Sequence, residues 1–202
     1  LIEPDSGNVW FDGKEVTAMN RTALRALRKD MQIVFQDPYS SLNPRMTVGE
    51  AIAEPMWAHG LYESKKACKK KAEELLEKVG LSAAFADRLP HAFSGGQRQR
   101  IVIARALALN PRFLICDESV SALDVSVQAQ ILNLLNELKA SQALTYIFIS
   151  HDLSVVKFMS DRMLVMQNGH IEEAGDPDTI FASPKSSYTI KLIDAIPGKQ
   201  FI

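Results

Sequence analysis

The sequence lacks several features that mark large classes of protein. It has two cysteines, Cys68 and Cys116, which are too few for a disulfide framework and favour a reducing, cytosolic setting. It has no run of ~18 apolar residues that would predict a membrane span, and no recognisable signal peptide. Its 24 acidic and 23 basic residues nearly cancel, which argues against a polycationic nucleic-acid binder.

The residues that are present indicate an α/β fold. Hydrophobic residues make up 47% of the 202-residue chain, enough for one domain with a substantial core. Short apolar runs without alternation predict strands covered on both faces, as in a parallel sheet. These runs are Val9–Phe11, Ile33–Phe35, Phe113–Cys116, Tyr146–Ile149 and Met163–Met166. Asn168-Gly169 predicts the turn of a late antiparallel hairpin, because both positions tolerate positive φ.

Periodic segments between the runs predict helices. One helix follows Asp124, where apolar residues recur at helical spacing: Ile131, Leu134, Leu135 and Leu138. A second covers about Ser64–Val79 and carries five lysines in its first turns: Lys65, Lys66, Lys69, Lys70 and Lys71. The lysine run fits a solvated helix face or, alternatively, a contact with lipid headgroups.

The stretch from residue 37 to residue 110 contains no clear strand and is interpreted as a helical insertion in the α/β core. Pro38 and Pro111 mark its borders, because proline disfavours helix at the residue before it. We therefore expect a core formed by residues 1–36 and 111–175, a helical subdomain at 37–110, and a C-terminal tail at 176–202.

Two adjacent carboxylates end the apolar run Phe113–Cys116. Because side chains alternate along a strand, Asp117 and Glu118 should point in different directions. At the carboxyl end of a parallel strand, one carboxylate could hold a Mg²⁺ ion partly through water, and the other could polarise an attacking water molecule. An equally simple interpretation is that one of them caps the next helix.

A glycine pair opens another predicted helix. Ser94 is a good N-cap, and Gly95-Gly96 would let a phosphate approach the free N–H groups at the positive end of the helix dipole. Gln97 adds a longer polar side chain beside this turn. Taken alone, a Ser-Gly-Gly turn before a helix is more simply a plain cap.

Two further polar residues follow predicted strands. His151 comes after Tyr146–Ile149, where it could donate to a γ-phosphate or a positioned water, or be an ordinary packed or capping residue. Gln36 ends the run Ile33–Phe35, and a single glutamine there has no special meaning by itself. The order of all these motifs along the chain is more informative than any one of them.

The ordered set resembles the nucleotide-binding subunit of ATP-binding cassette (ABC) transporters over essentially the whole chain. Ser94–Gln97 looks like the family signature, with Phe93 where leucine is usual. Leu114–Glu118 looks like the Walker B strand and its catalytic glutamate, followed by Ser119-Val120 where Pro-Thr is common.

The remaining motifs extend this resemblance. Gln36 looks like the Q-loop glutamine, Ser121–Asp124 like the D-loop, and His151 like the switch histidine. Three longer stretches resemble the oligopeptide/dipeptide importer branch, which includes glutathione and nickel importers: Gln36–Pro44, Asp124–Leu132 and, in the tail, Ile180–Pro184 with Ser187–Thr189. The C-terminal cysteine cluster of some members is missing, so no iron–sulfur centre is expected.

The resemblance implies a P-loop NTPase (RecA-like) core with a mainly parallel sheet and an inserted ABC helical subdomain, incomplete at the N-terminus. It implies ATP and Mg²⁺ as cofactors, bound between two subunits. In the implied mechanism, Glu118 is the general base, Asp117 and Gln36 bind Mg²⁺, and His151 contacts the γ-phosphate. Ser94, Gly95, Gly96 and Gln97 contact the nucleotide bound to the partner subunit, and Asp124 lies at the dimer contact.

The resemblance also implies partners and a place in the cell. An importer ATPase pairs with a second, identical or different, ATP-binding subunit, with transmembrane permease subunits and indirectly with a solute-binding protein, but with no nucleic acid. It lies on the cytoplasmic face of a bacterial membrane. Residues 37–58 would form the groove that receives a permease helix.

The phosphate-binding loop G-x-x-x-x-G-K-[ST] does not occur in the sequence. Gly13-Lys14 and Gly198-Lys199 are followed by glutamate and glutamine instead. We therefore expect an N-terminally truncated piece of a longer subunit that alone binds ATP weakly and hydrolyses none above background. Its unpaired strand edges should make it poorly soluble or only partly folded.

Two alternatives stay open at the level of sequence. One is a non-transport ABC ATPase of the DNA-repair or chromosome type, although that class places long coiled coils or zinc modules between the glutamine and the signature. The other is a truncated, catalytically dead chain that acts only as a binding subunit.

Overall fold

The computed structural model describes residues 4–196, and their regular elements confirm the predicted α/β class. The strands are β1 (Trp10–Phe11), β2 (Lys14–Glu15), β3 (Met31–Val34), β4 (Phe113–Asp117), β5 (Thr145–Ile149), β6 (Met163–Gln167) and β7 (His170–Gly175). They form a parallel sheet in the order β3-β4-β5 and two antiparallel pairs, β1-β2 and β6-β7. The third strand begins and ends earlier than the sequence predicted, since Phe35 lies beyond it.

Helices account for most of the remaining structure. They are α1 (Arg21–Leu27), α2 (Pro38–Ser41), α3 (Val48–Ala58), α4 (Lys65–Lys78), α5 (Gly95–Leu107), α6 (Val125–Gln142), α7 (Leu153–Met159), α8 (Pro177–Ala182) and α9 (Ser187–Asp194). Short 3₁₀ turns lie at Ala83–Phe85 and Pro90–Ala92. The described structure has no strand between residues 37 and 110, while the domain borders proposed above stay predictions.

Local sequence explains where the long helices begin. Thr47 and Glu50 form a capping box at the start of α3, in which each side chain satisfies a backbone N–H of the other residue. The Asp124 carboxylate caps α6 by accepting from the Val127 N–H at 3.0 Å. The predicted apolar stripe of α6 is buried, and the helix ends at Ala143, whose φ of 51° lies in the left-handed region.

The main core joins the helices α3–α6 to one face of the parallel sheet. Val34, Leu114 and Cys116 point into it and are fully buried. Fully buried side chains from the helices complete it: Ile52, Met56, Leu76, Ile101, Ile103, Leu107, Ile131 and Leu135. Burial raises the pKa of the Cys116 thiol to about 12, so this cysteine is a packing residue rather than a nucleophile.

The prediction that the parallel strands are covered on both faces is wrong for the described residues. Ile33 is 39% exposed, and Ile147 and Ile149 are 48% and 45% exposed. Side chains alternate along each strand, so helices that cover Val34 and Cys116 leave the opposite face open. Within residues 4–196, the Phe11 ring of β1 packs against Phe113 on that opposite face, with ring centres 5.8 Å apart, and no helix covers Ile33, Ile147 and Ile149.

A second, smaller core lies under the late hairpin. Asn168 and Gly169 have φ of 49° and 81° and form the predicted turn between β6 and β7. The cluster beneath it comprises Val156, Met163, Val165, Ile180 and Ile193. The Glu173 carboxylate accepts the Lys185 and Ser186 N–H groups, and the first of these lowers the pKa of Glu173. The hairpin thus holds the tail through α8 and α9. Among the helices of residues 4–196, none combines the length and hydropathy needed to cross a bilayer.

Candidate functional site

The register of the parallel sheet gathers the predicted polar residues at one edge. β4 lies between β3 and β5, with Val34 beside Cys116 and Asp117 beside Ile149. Because parallel strands end on the same side of a sheet, the residues that follow all three strands meet there. We call this group, residues 36, 117–121 and 150–151, the carboxyl edge.

Glu118 adopts a backbone conformation that is unusual for its residue type. Its φ is 46°, in the left-handed region that non-glycine residues seldom occupy. Its N–H donates to the Ile149 carbonyl at 3.0 Å, and its own carbonyl accepts from the Ser121 hydroxyl at 2.9 Å. Strain maintained by surrounding contacts is typical of functional positions.

His151 lies beside Glu118 and is not a packed residue. Its Nδ1 is 3.5 Å from Glu118 Oε1, and its side chain is 70% exposed. It does not cap the following helix either, since the Asp152 carboxylate accepts from the Ser154 and Val155 N–H groups. The structure therefore places an acceptor and a titratable donor side by side in an open position.

Gln36 reaches the same group through a residue to which the sequence gave no individual role. Its Nε2 donates to Ser121 Oγ at 3.2 Å, and Ser121 Oγ donates to the Glu118 carbonyl. Ser121 thus connects the glutamine to the turn that fixes Glu118. The signal that could have identified it is its place three residues after Glu118, where a turn closes.

No hydrogen bond or ion pair within residues 4–196 engages the Asp117 carboxylate, although it is partly buried. No group of three or more His, Cys, Asp or Glu side chains in that part of the chain could hold a metal unaided. Mg²⁺ fits this edge nonetheless, because it is typically held by one or two carboxylates, substrate phosphates and waters. Asp117 and the Gln36 amide oxygen supply suitable oxygen ligands.

The Ser94 turn forms a complete capping box at the start of α5. Ser94 Oγ accepts from the Gln97 N–H at 3.3 Å, and Gln97 Oε1 accepts from the Ser94 N–H at 3.1 Å. The turn is therefore a helix cap, as the plain-cap interpretation predicted. The cap also engages the side chain of Gln97. The N–H groups at the start of the helix still face outward from the cap.

The two glycines of this turn have different surroundings. A Cβ on Gly96 would lie 2.3 Å from Val127 Cγ1, so α6 packs too closely for any side chain there. A Cβ on Gly95 would meet only Leu123 at 3.8 Å, an ordinary contact. Packing explains Gly96, whereas the open backbone at Gly95 suits the approach of a ligand.

The candidate residues form two groups in the structure. Gln36, Ser121, Glu118 and His151 are connected at the carboxyl edge. No hydrogen bond described for residues 4–196 joins this edge to the side chains of Ser94 or Asp124, which cap α5 and α6. The two groups thus share no hydrogen bond, although Gly95 lies beside Leu123, two residues after Ser121.

A groove of ≈ 710 Å³ lies between α3 and the start of α4. Its lining includes Arg45, Met46, Trp57, Lys65 and Lys69. Lys65 Nζ is 5.7 Å from the centre of the half-exposed Trp57 ring, and Lys69 pairs with Asp87 at 2.6 Å. The lysine run is thus partly engaged at the groove, and Lys71 pairs with Glu74 at 2.9 Å on the same helix.

Comparisons with known proteins place this geometry in a family. Residues 1–121 match the ABC transporter family. The chain is 51% identical over 98% of its length to the oligopeptide transport ATP-binding protein OppF of Bacillus subtilis, and 50% identical over 98% to the glutathione import ATP-binding protein GsiA of Escherichia coli. It spans 65% and 32% of those two proteins.

Solved structures agree with the sequence match. The fold superposes on cbiO1 of Clostridium perfringens, part of the ABC transporter complex cbiONQ, with a TM-score of 0.79 and 28% identity over 98% of this chain and 76% of that one. It superposes on the ATP-binding cassette MJ0796, a dimer bound to ADP and phosphate, with a TM-score of 0.75 and 30% identity over 87% and 75% of the chains. The chain belongs to the ABC transporter family, and its parallel sheet is that of a P-loop NTPase.

Proposed function

We propose that the chain is the main part of an ATP-binding and ATP-hydrolysing subunit that energises import of peptides or a related small solute through a membrane permease. The observation that carries this proposal is the pairing of Glu118 with His151, connected to Gln36 through Ser121, at the carboxyl edge. Relatives named for oligopeptide transport and glutathione import support the solute class.

At the carboxyl edge, each side chain has a distinct role in the proposed hydrolysis. The Glu118 carboxylate accepts a proton from the attacking water, and His151 donates to the γ-phosphate oxygens. Asp117 and the Gln36 amide oxygen hold Mg²⁺, which neutralises phosphate charge when it is bound. The open position of His151 leaves room for a nucleotide to enter beside Glu118.

The Ser94 turn serves a second nucleotide, bound to a partner subunit. The N–H groups at the start of α5 and the open backbone at Gly95 suit an anionic phosphate, and Ser94 and Gln97 hold the turn in shape. Asp124, at the start of the neighbouring α6, lies at the dimer contact. This turn shares no hydrogen bond with the carboxyl edge, which supports assigning the two to different nucleotides, because each composite site would combine surfaces from two subunits.

The groove between α3 and α4 is the proposed seat of a permease helix. Part of its lining, from Arg45 to Trp57, falls within residues 37–58, the segment that the sequence assigned to this contact. Its apolar and charged side chains suit an amphipathic partner. This contact would hold the subunit at the cytoplasmic face of a bacterial membrane, with a solute-binding protein acting indirectly through the permease.

The 202 residues alone should not hydrolyse ATP above background, because they contain no phosphate-binding loop to grip the β- and γ-phosphates. The 202-residue chain should also bind Mg-ATP very weakly, and an ATPase assay together with equilibrium binding of Mg-ATP tests both expectations. Clear saturable binding at micromolar nucleotide would contradict the proposal that the loop must come from elsewhere in a full-length subunit.

The decisive experiment substitutes Glu118→Gln in the full-length subunit. Loss of the general base should lower ATP turnover at least ~100-fold while a stable ATP-bound dimer still forms. Glu137→Gln is the matched control, because this exposed glutamate of α6 has no hydrogen-bond or ion-pair partner within residues 4–196. Retained turnover in the Glu118 variant would refute its role as base.

A further inference from the structure

Arg98 is a buried cation without a carboxylate partner. It lies on α5 four residues after Ser94 and is only 6% exposed, yet no salt bridge within residues 4–196 includes it. Its Nε donates to the Pro90 carbonyl at 2.8 Å, and its Nη2 donates to the His91 carbonyl at 3.4 Å. A cation buried among carbonyls alone is incompletely compensated, so its remaining contact is important.

That remaining contact is the ring of Tyr39. The guanidinium carbon of Arg98 lies 3.7 Å from the ring centre, close enough for a cation–π stack. Carbonyls accept hydrogen bonds from the guanidinium, and the ring covers its face; a planar guanidinium can stack face-on while its in-plane N–H groups donate, which an ammonium cannot reproduce. Tyr39 itself is 66% exposed, so its ring is not needed to fill the core.

The stack connects two segments that the proposed function assigns to different nucleotides. Tyr39 belongs to α2, which begins two residues after Gln36 and is capped by the Asp37 carboxylate. Arg98 is anchored to the 3₁₀ turn at Pro90–Ala92, which leads directly into Ser94. The stack therefore joins the segment that follows Gln36 to the turn that precedes the signature.

A second arginine of the same helix strengthens this connection. Arg105 Nη1 donates to the Ser41 carbonyl at 2.7 Å, and Arg105 pairs with Glu54 of α3 at 3.4 Å. The two arginines are two helical turns apart and contact both ends of α2. The short helix is thus held against α5 along its length, so the two segments should move together.

We propose that Tyr39 and Arg98 are positioning residues that keep the Ser94 turn in a fixed relation to the Gln36 segment. The proposal rests on the proposed function, in which Gln36 contacts a subunit's own nucleotide and Ser94 contacts the partner's. The stack then links the two ATP sites within one subunit, so that a nucleotide held at Gln36 orients the turn that closes on the other. Its loss should weaken dimer closure without weakening the first binding of ATP.

The test uses the full-length subunit carrying Glu118→Gln, with Tyr39→Ala, Tyr39→Leu or Tyr39→Phe added. Tyr39→Phe keeps the ring and is the matched control, while Tyr39→Leu keeps apolar bulk without a π face. We expect the ATP concentration for half-maximal dimerisation to rise about tenfold for the alanine and leucine variants and to stay within about twofold for phenylalanine. ATP affinity of the dilute monomer should not change, which separates a loss of positioning from a general structural defect.

Each outcome decides the proposal. Dimerisation of Tyr39→Ala at the same ATP concentration as its parent would overturn the positioning role and leave the proposed function intact. Equal behaviour of the leucine and phenylalanine variants would overturn the cation–π stack. If the Glu118→Gln parent formed no ATP-dependent dimer, both the proposed function and this inference would fail. Arg98→Lys, which keeps the charge but not the planar fork, should behave as Tyr39→Ala does.

Discussion

The helical region, residues 37–110, and the carboxyl edge differ in how far their polar groups are hydrogen-bonded within the chain. In the helical region, caps at Thr47, Ser64 and Ser94 satisfy the helix starts from side chains close in sequence. At the carboxyl edge, Glu118 has a strained backbone and His151 is largely exposed, with a contact of only 3.5 Å between them. The caps of the helical region are hydrogen-bonded within the chain, whereas the carboxyl edge has exposed donors and acceptors.

This difference separates residues that stabilise the fold from residues that await a ligand. A satisfied cap contributes to the free energy of unfolding whether or not a nucleotide is present. An exposed histidine beside a strained glutamate contributes little to stability and becomes important when a substrate enters. Substitutions of the Thr47 and Ser64 caps should therefore change stability, and substitutions of Glu118 or His151 should change turnover.

The largest effect should come from His151→Ala at the carboxyl edge. Removal of the proposed γ-phosphate donor should lower ATP turnover of the full-length subunit about 100-fold or more. The free energy of unfolding should stay within about 0.5 kcal/mol, because the side chain is 70% exposed. His170→Ala, in an exposed position on β7, is the control and should leave turnover unchanged. A large loss of stability with normal turnover would mean that His151 stabilises the fold and takes no part in hydrolysis.

Gly96→Ala should be the most damaging change to stability at the Ser94 turn. The new Cβ would lie 2.3 Å from Val127 Cγ1 and force α5 and α6 apart, which should cost about 1–3 kcal/mol in chemical denaturation. Gly95→Ala is the matched control, since its Cβ has room and alanine favours the helix. Adding Val127→Ala to Gly96→Ala should restore part of the loss. Equal effects at the two glycines would show that packing does not distinguish them.

Thr47→Ala tests the caps of the helical region. It removes the hydroxyl that accepts from the Glu50 N–H at 3.3 Å, so the start of α3 should lose about 1 kcal/mol of stability. Thr47→Ser keeps the hydroxyl and should lose much less. Both proteins should hydrolyse ATP normally once folded. A variant with reduced turnover and unchanged denaturation midpoint would contradict the division between the regions.

The smallest effect concerns the pH dependence of the same cap. The Thr47 backbone N–H, and then its hydroxyl, lower the pKa of Glu50 below its ordinary value. A lowered folded-state pKa stabilises the protein above the unfolded pKa, and this contribution disappears as pH falls through the folded pKa. The difference in thermal midpoint between the native protein and Glu50→Gln should therefore shrink from pH 7 to acid pH. A difference that stays constant would mean that the ionised carboxylate contributes nothing.

Local patterns in the sequence predicted most of the elements and the composition of the site. The stripe from Ile131 to Leu138, the Asn168-Gly169 turn and the Ser94 cap all depend on neighbours close in the chain, so they could be recognised without coordinates. The open face at Ile33 and Ile147 could not, because strand sequences do not reveal which face has a covering layer. The roles of the individual site residues stay predictions until the variants are measured.

The sequence by itself determined the fold class, the cap at Ser94 and the order of polar residues after the strands, because each follows from spacing along one chain. Only the tertiary structure decided which of those residues meet. Gln36 reaches Glu118 through Ser121, and Arg98 stacks on Tyr39, across separations that no local pattern encodes. The tertiary structure likewise assigned Gly96 to helix packing, since a close approach between two helices is a property of their arrangement and not of either sequence.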